Sequence, residues 1–274
     1  MKKIRLSYAP LQNAGDLLNK DLVEKLSGKQ VVCSKMYNAD MIAIGGALVG
    51  LQYGKSAKRR LCQKVLALIY GNKPLYVWGS GFFKNDNDNG LYRTNVKVCA
   101  LRGALSREKL SGLTGETYDV PLADAGLLSN LFVDENPGKE YEVGIIPHFS
   151  QKDEPRFQAL KESFSSACVI DIQQEPAVVI NQIAQCRYIL SSSLHGLIFA
   201  DGLGIPNLHI LGELTLKGGN FKFEDYYSSF GVTDEPWILE EGFPTVADIE
   251  NRYKIDFKAV QEKQAQLVAC FPKI

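Results

Sequence analysis

Short apolar runs alternate with stretches of helical spacing along the whole chain of 274 residues. This alternation is typical of parallel sheets, because two parallel strands need a crossover connection, usually a helix, between them. Strands are predicted at residues 3–8, 41–44, 75–78, 96–100, 142–146, 168–172, 188–191 and 207–210. Helices are predicted at residues 16–26, 57–70, 106–113, 156–163, 176–185, 195–203 and 246–271. The pattern therefore predicts an α/β fold.

A polar interruption, DENPGKEYE at residues 134–142, separates two series of strand–helix alternation. The chain is long enough for two compact units with substantial cores. We therefore predict two Rossmann-like lobes, residues 1–139 and 140–274, that face each other across a cleft in a GT-B-like arrangement. Final helices often cross back in two-lobed transferases, so the helical stretch near the end of the chain can pack on the first lobe.

Charge and composition exclude several classes of protein. The chain has 31 basic and 31 acidic residues, so its net charge of zero gives no overall field to gather nucleic acid or an acidic membrane. We expect no nucleic-acid partner and at most peripheral membrane association. The start, MKKIRLSYAP, lacks the apolar core of a secretion signal, and no apolar run is long enough to span a bilayer, which predicts a cytoplasmic protein.

Neither a metal nor a nicotinamide cofactor is expected from the motifs. The six cysteines are scattered singly, mostly in apolar surroundings, which predicts buried thiols and neither disulfides nor zinc sites. The three histidines have no acidic cluster at metal-ligand spacing. No GxGxxG fingerprint is present. Any anionic substrate must therefore be held by a local site made of side chains and backbone.

The strongest local signal is the segment YILSSSLHGLIFADGLGIPN at residues 188–207. A strand leads into three serines and then into an apolar helix that opens at His195. The backbone N–H groups at such a helix start can bind an anion, and His195 can exchange a proton with a substrate there. Gly196 permits close approach of a ligand or of another backbone segment. The alternative is a capped helix whose histidine is structural.

This segment resembles the signature of the polysaccharide pyruvyl transferase family, a small-residue run followed by Leu-His-Gly and an Ala/Gly-rich helix that ends in Ile-Pro. Further matches follow the family's order over nearly the whole chain: NAGDLLN at 13–19, IGGAL at 44–48, VWGSGF at 77–82, LRGALSREKL at 101–110, ADAGLL at 123–128, IPHF at 146–149 and KFEDYYSSFG at 222–231. The resemblance implies an enzyme that moves the enolpyruvyl unit of phosphoenolpyruvate onto a sugar as a ketal.

The acceptor implied by the resemblance is a glycan, or a lipid-linked or nucleotide sugar, that serves as precursor of an exopolysaccharide, capsule or cell-wall glycan. Two other classes remain open. A GT-B-type glycosyltransferase would share the two-lobed layout but take a nucleotide sugar as its donor. A noncatalytic glycan- or anion-binding protein would tolerate the loss of His195.

The donor site is expected to combine His195, as general acid or base, with cations and backbone donors. Arg102 directly follows the apolar strand VKVCAL, where a cation can reach bound phosphate or carboxylate; the resemblance implies that it binds the donor's anionic groups. The remaining donor-binding positions lie in the strongest segment: Ser191, Ser192, Ser193, Leu194 and Gly196.

Three residues are predicted on the acceptor side. Asn13 and Asp16 follow the first strand and open the first helix, so they can bind sugar hydroxyls; a turn with an N-cap is the alternative. His148 follows the first strand of the second lobe, where the resemblance places the loop at the cleft. Asp124 is expected to cap a loop, and His209 to be a satisfied histidine of the core.

One position departs from the family. Many members carry arginine immediately before the Leu-His pair, where this chain has Ser193. The donor has a carboxylate and a phosphate, and a buried charge without a partner is costly. A second cation is therefore needed, and we predict Lys217, with Arg187 and Lys152 as the next candidates.

Overall fold

The computed structural model describes residues 3–85, 90–134, 137–212 and 219–274. The first half of the chain forms a parallel sheet of five strands: β1 (Ile4–Leu6), β2 (Val31–Cys33), β3 (Met41–Ile42), β4 (Leu75–Ser80) and β5 (Val96–Leu101), in the order β2-β1-β3-β4-β5. The second half forms another: β6 (Tyr141–Ile146), β7 (Ala167–Val169), β8 (Cys186–Ser191), β9 (Asn207–Leu211) and β10 (Trp237–Ile238), in the order β10-β9-β8-β6-β7.

Helices connect and cover the strands: α1 (Ala14–Ser27), α2 (Ala57–Tyr70), α3 (Ala104–Thr114), α4 (Pro155–Glu162), α5 (Pro176–Ala184), α6 (Leu194–Gly202), α7 (Phe221–Ser228), α8 (Val246–Arg252) and α9 (Phe257–Ala269). Short 3₁₀ segments lie at Met36–Asn38, Leu48–Leu51, Ala125–Phe132 and Leu239–Glu241. Two parallel α/β sheets, one from each half, confirm the predicted class of two Rossmann-like lobes in a GT-B-like arrangement. The boundary near residue 139 stays a prediction.

Every predicted strand and helix corresponds to an observed one, with three differences. The edge strands β2 and β10 contain three and two residues and were not predicted. Helix α7 was not predicted either. The single helix expected over 246–271 is divided, since Asp256 caps α9 by accepting a hydrogen bond from the Lys258 N–H (3.0 Å).

The two halves of the chain share buried contacts. The backbone N–H of Ala14, at the start of α1, donates to the Ile172 carbonyl at 2.7 Å. Helix α9 packs on the first sheet, where the Trp78 indole donates to the Leu267 carbonyl at 2.9 Å and meets the Phe271 ring edge-on at 4.9 Å. The last helix is therefore part of the packing of the first sheet.

Two sequence expectations about the surface can be compared with the fold. The cysteines are not mostly buried: Cys186 is buried, whereas Cys33 and Cys62 are exposed, because β2 is an edge strand and Cys62 lies on the outer side of α2. In the described ranges the longest helices, α1 and α2, have 14 residues each, and no helix is both long and apolar enough to cross a bilayer.

Candidate active site

His195 lies where the two sheets meet. It stands in the first turn of α6, directly after β8, and its ring covers Gly15 at the start of α1. A Cβ at residue 15 would come within 2.0 Å of His195 Nδ1, and one at Gly45, after β3, would come within 3.7 Å of Nε2. The loops that follow β1, β3 and β8 therefore converge on one imidazole.

The Nε2 atom of His195 is buried and has no hydrogen-bond partner among the described residues. The pKa of His195 is lowered to about 3, mainly by burial and in addition by the positive charges of Lys222 and Arg102. The imidazole is therefore neutral near pH 7 in the free protein. An anion bound next to the imidazole would favour its protonated form, because a nearby negative charge raises the pKa of a histidine.

Arg102 is buried beside this ring but is already paired. It is 1% exposed, and its Nε donates to Oδ2 of Asp225 on α7 at 2.8 Å. Its Nη2 donates to the Phe82 carbonyl. Asp225 also accepts hydrogen bonds from the backbone N–H (2.7 Å) and the hydroxyl (2.6 Å) of Ser106. Arg102 thus contributes positive charge to the site from within a buried ion pair.

Lys222 is the cation that the sequence analysis missed. It is the second residue of α7 and is only 8% exposed, and no hydrogen-bond partner for its Nζ is found in the described part of the chain. The Nζ lies 5.7 Å from the centre of the Phe83 ring and 5.0 Å from that of the Phe223 ring. Burial lowers the pKa of Lys222 to about 8, and Arg102 lowers it as well, while Asp16 opposes the shift.

The groups around Lys222 respond to its charge. Burial raises the pKa of Asp16 to about 6, and Lys222 acts in the opposite direction. The pKa of His148 is lowered to about 4, mainly by burial and in addition by the charge of Lys222. Asp16, His148 and His195 therefore all lie within electrostatic range of one buried ammonium group. Helical spacing is the signal in the sequence that could have identified Lys222. This residue lies four residues before the buried Tyr226 and so shares its helix face.

The backbone N–H groups of Ser192 and Ser193 already have hydrogen-bond partners within the protein. The Ser192 N–H donates to the Ile146 carbonyl (3.2 Å), and the Ser193 N–H donates to Ser191 Oγ (3.0 Å). These two N–H groups, which the sequence analysis assigned to an anion, are therefore engaged. The Ser192 hydroxyl accepts from the His148 N–H at 2.8 Å and so ties the β6 loop to the β8 loop.

Two N–H groups at the start of α6 remain for a ligand. The N–H groups of Gly196 and Leu197 both donate to the Ser193 carbonyl, which leaves those of Leu194 and His195, because the first N–H groups of a helix have no partner within it. The space beside Gly196 is taken by the Ser191 side chain and not by a ligand, since a Cβ at Gly196 would lie 2.4 Å from Ser191 Oγ.

The acceptor-side residues lie at the same place. Asn13 is the N-cap of α1, and its Oδ1 accepts from the Gly15 N–H at 3.0 Å, as the alternative interpretation expects. His148 has its Nδ1 2.8 Å from Ser150 Oγ. Asp124 caps the 3₁₀ segment that starts at Ala125 by accepting from the Gly126 N–H (2.8 Å), and burial raises its pKa to about 6.

The remaining candidates do not join the cluster. Lys217 falls outside the described residues. Arg187 is exposed near the start of β8, the end of that strand remote from His195. Lys152 is exposed and lies 3.9 Å from Asp171. His209 is buried, with its Nδ1 3.0 Å from both carboxylate oxygens of Asp234.

Fold and site together define a two-lobed α/β protein with a cluster of buried cationic and titratable side chains where its sheets meet. The family model for polysaccharide pyruvyl transferases matches residues 2–212, more than half of the chain. The chain belongs to the polysaccharide pyruvyl transferase family, which confirms the resemblance carried by the motifs.

Individual relatives span different parts of the chain. Uncharacterized protein L143 of Acanthamoeba polyphaga mimivirus is 31% identical over 272 residues, which cover 94% of this chain and 86% of the relative. Succinoglycan biosynthesis protein ExoV of Rhizobium meliloti is 25% identical over 161 residues, 58% of this chain and 49% of ExoV. A solved structure of an uncharacterized Klebsiella pneumoniae protein superposes with a TM-score of 0.47 at 13% identity, covering 86% of this chain and 92% of that one.

Proposed function

We propose that this protein transfers the enolpyruvyl unit of phosphoenolpyruvate onto a sugar as a ketal, in a precursor of an exopolysaccharide, capsule or cell-wall glycan. The observation that carries the proposal is the buried, unpartnered Nε2 of His195 beside Lys222 and Arg102. A donor with a carboxylate and a phosphate needs buried positive charge, and its chemistry needs a proton. The family of the chain supports the same reaction.

The donor is held by Lys222, by the N–H groups of Leu194 and His195, and by the positive field of Arg102. We assign the second donor cation to Lys222, which supplies the charge that Ser193 cannot. An ammonium group without a hydrogen-bond partner can donate three hydrogen bonds to phosphate or carboxylate oxygens. Lys217 stays a prediction for this role.

The reaction begins when His195 delivers a proton to the methylene carbon of the donor. The donor's negative charge raises the pKa of His195 on binding, so the imidazole gains its proton in the complex. Protonation leaves a cation at C2, which one sugar hydroxyl attacks with loss of its proton to a base. The C2–O bond to phosphate then breaks, and the second hydroxyl attacks C2 and loses its proton, giving the ketal and inorganic phosphate.

Asp16 and His148 are the proposed bases on the acceptor side. Burial favours the neutral form of each side chain, since it raises the pKa of Asp16 to about 6 and lowers that of His148 to about 4. Near neutral pH, Asp16 is ionised and His148 is unprotonated, so each can accept a hydroxyl proton. The proposed reaction uses no metal and no cofactor. The proposal also places the protein in the cytoplasm.

The decisive experiment incubates the protein with phosphoenolpyruvate and a panel of lipid-linked and nucleotide sugars. We expect phosphate release that depends on one acceptor class, and a product whose mass shows an added pyruvyl ketal. Consumption of a nucleotide sugar as donor, with phosphoenolpyruvate untouched, would show a glycosyltransferase instead. Donor binding without turnover for any acceptor, unchanged in a His195→Gln variant, would favour a noncatalytic binding protein.

A further inference from the structure

The outer face of α2 is apolar. Leu61, Val65 and Leu68 follow the i, i+4, i+7 spacing that places side chains on one face of a helix, and Leu68 is 85% exposed. Ile69 flanks them and is also exposed. The buried face is opposite and holds Gln63, whose amide binds the Gly54 N–H and the Gln52 carbonyl. Helix α2 therefore exposes large apolar side chains on its solvent side.

The segment of sequence that carries this face is basic. The segment 41–85 contains seven basic residues and no aspartate or glutamate, although the whole chain has a net charge of zero. Four of the seven lie on α2: Lys58, Arg59, Arg60 and Lys64. A cationic helix with exposed large apolar side chains has the composition of helices that lie in the plane of a membrane surface.

We propose that α2 docks this protein on the surface of an anionic lipid bilayer. Leu61, Val65 and Leu68 would enter the boundary between headgroups and acyl chains, while Lys58 and Lys64 bind lipid phosphates. The charge pattern decides against a second copy of this chain as the occupant, because pairing two α2 faces would bring like charges together. This inference goes beyond the proposed reaction and does not depend on it.

Helix α2 is connected along the chain to the loop that contacts His195. The loop after β3 holds Gly45 against the His195 ring and runs through the 3₁₀ segment Leu48–Leu51 to the start of α2. A bilayer bound by α2 would therefore contact an element that is connected through about ten residues of chain to the loop at His195.

The test is co-sedimentation of the full chain with vesicles of phosphatidylcholine alone or mixed with phosphatidylglycerol. We expect the wild type to pellet with the anionic vesicles and to be released by salt, which screens surface charge. A Leu61→Gln/Leu68→Gln variant should bind at least about tenfold more weakly, since each substitution removes an exposed apolar side chain. A Lys58→Gln/Lys64→Gln variant should lose the preference for anionic lipid.

Matched controls replace similar side chains elsewhere. Val178→Gln/Val268→Gln removes two exposed apolar side chains from α5 and α9, and Lys20→Gln/Lys258→Gln removes two exposed cations from α1 and α9; both should bind like the wild type. No binding of the wild type to anionic vesicles, or equal losses in the control variants, would overturn the proposal. A wild-type dimer that becomes a monomer in Leu61→Gln/Leu68→Gln, without vesicle binding, would make this face a subunit interface instead.

Discussion

His195 rests on Gly15 so closely that a Cβ at residue 15 would lie 2.0 Å from its Nδ1. Gly15→Ala should therefore displace the imidazole by a substantial fraction of its own width. Turnover should fall roughly 10²-fold, the order expected for a reacting group misplaced by about 1 Å. Gly112→Ala is the control, because Gly112 lies in a different helix, α3, and a Cβ there would meet nothing within 4 Å. Steady-state phosphate release measures both, and equal rates would show that His195 tolerates the shift.

His195→Gln should remove proton transfer while retaining hydrogen-bonding capacity. We expect turnover to fall by about 10²-fold or more, in the range measured for lost acid–base groups, with a smaller effect on donor binding. Single-turnover kinetics and calorimetry with phosphoenolpyruvate separate the two quantities. A variant that turns over near the wild-type rate across the pH range would make His195 a structural residue.

Lys222 should give donor binding a pH dependence. Its pKa of about 8 means that the ammonium loses its proton as pH rises through that value, so affinity for phosphoenolpyruvate should fall at higher pH. Lys222→Arg should keep binding the donor above this range, because arginine stays protonated. Lys222→Gln should bind weakly at every pH, whereas Lys20→Gln should match the wild type. Calorimetry across pH 7 to 10, a span chosen around that pKa, tests this; an identical pH profile for wild type and Lys222→Arg would exclude Lys222 from the donor site.

The Arg102–Asp225 ion pair should matter for folding as well as for binding. Asp225→Ala leaves Arg102 buried without its carboxylate, which should lower the free energy of unfolding by about 3–5 kcal/mol. Lys152→Ala removes one partner of an exposed contact with Asp171 (3.9 Å) and should cost no more than about 1 kcal/mol. Urea denaturation measures both, and similar losses would show that the buried pair is not specially stabilising.

Asp201 should make the protein less stable as pH rises. Burial raises its pKa to about 7, although Tyr226 (2.6 Å), Tyr253 (3.0 Å) and Asn207 (2.6 Å) donate hydrogen bonds to it. The folded state then holds a proton that the unfolded state releases near its ordinary value of about 4. Its contribution is full below that value and is lost between about pH 4 and 7.

The comparison is between wild type and Asp201→Asn, which has no proton to lose. The stability difference, wild type minus variant, should decrease across that pH range by about 1.4 kcal/mol for each unit by which the pKa differs between the two states. Other groups such as His195 cancel in this difference. A difference that stays constant with pH would mean that Asp201 titrates normally in the folded protein.

The alternation of apolar runs and helical spacing was sufficient to predict the α/β class, because a period of two or of 3.6 is a local property. It was not sufficient for Arg102. Its partner Asp225 is 123 residues away in sequence, and Asp225 lies on α7, whose KFEDYYSSFG motif was matched to the family without a role for its charged residues. The same omission concealed Lys222, so the second cation was assigned to Lys217 instead.

The serine run shows a second limit of sequence analysis. Three serines before a helix indicate available donors, yet Ser191 Oγ accepts the N–H of Ser193 and the Ile146 carbonyl accepts that of Ser192. These bonds depend on where β6 lies relative to β8, which is a property of the sheet and not of the motif. By contrast the location of His195 at the functional edge could be predicted from its position in the sequence, because a helix that follows a strand in a parallel sheet begins at that edge.

The Trp78–Leu267 contact has a consequence for synthesis of the protein. The indole belongs to the first sheet, and the carbonyl that it binds is made 189 residues later. At about 5–20 residues per second, the ribosome takes roughly 10–40 s to add that length of chain. During this interval the nascent first sheet presents the indole without its cover, so the emerging protein offers an apolar surface to chaperones until α9 leaves the exit tunnel.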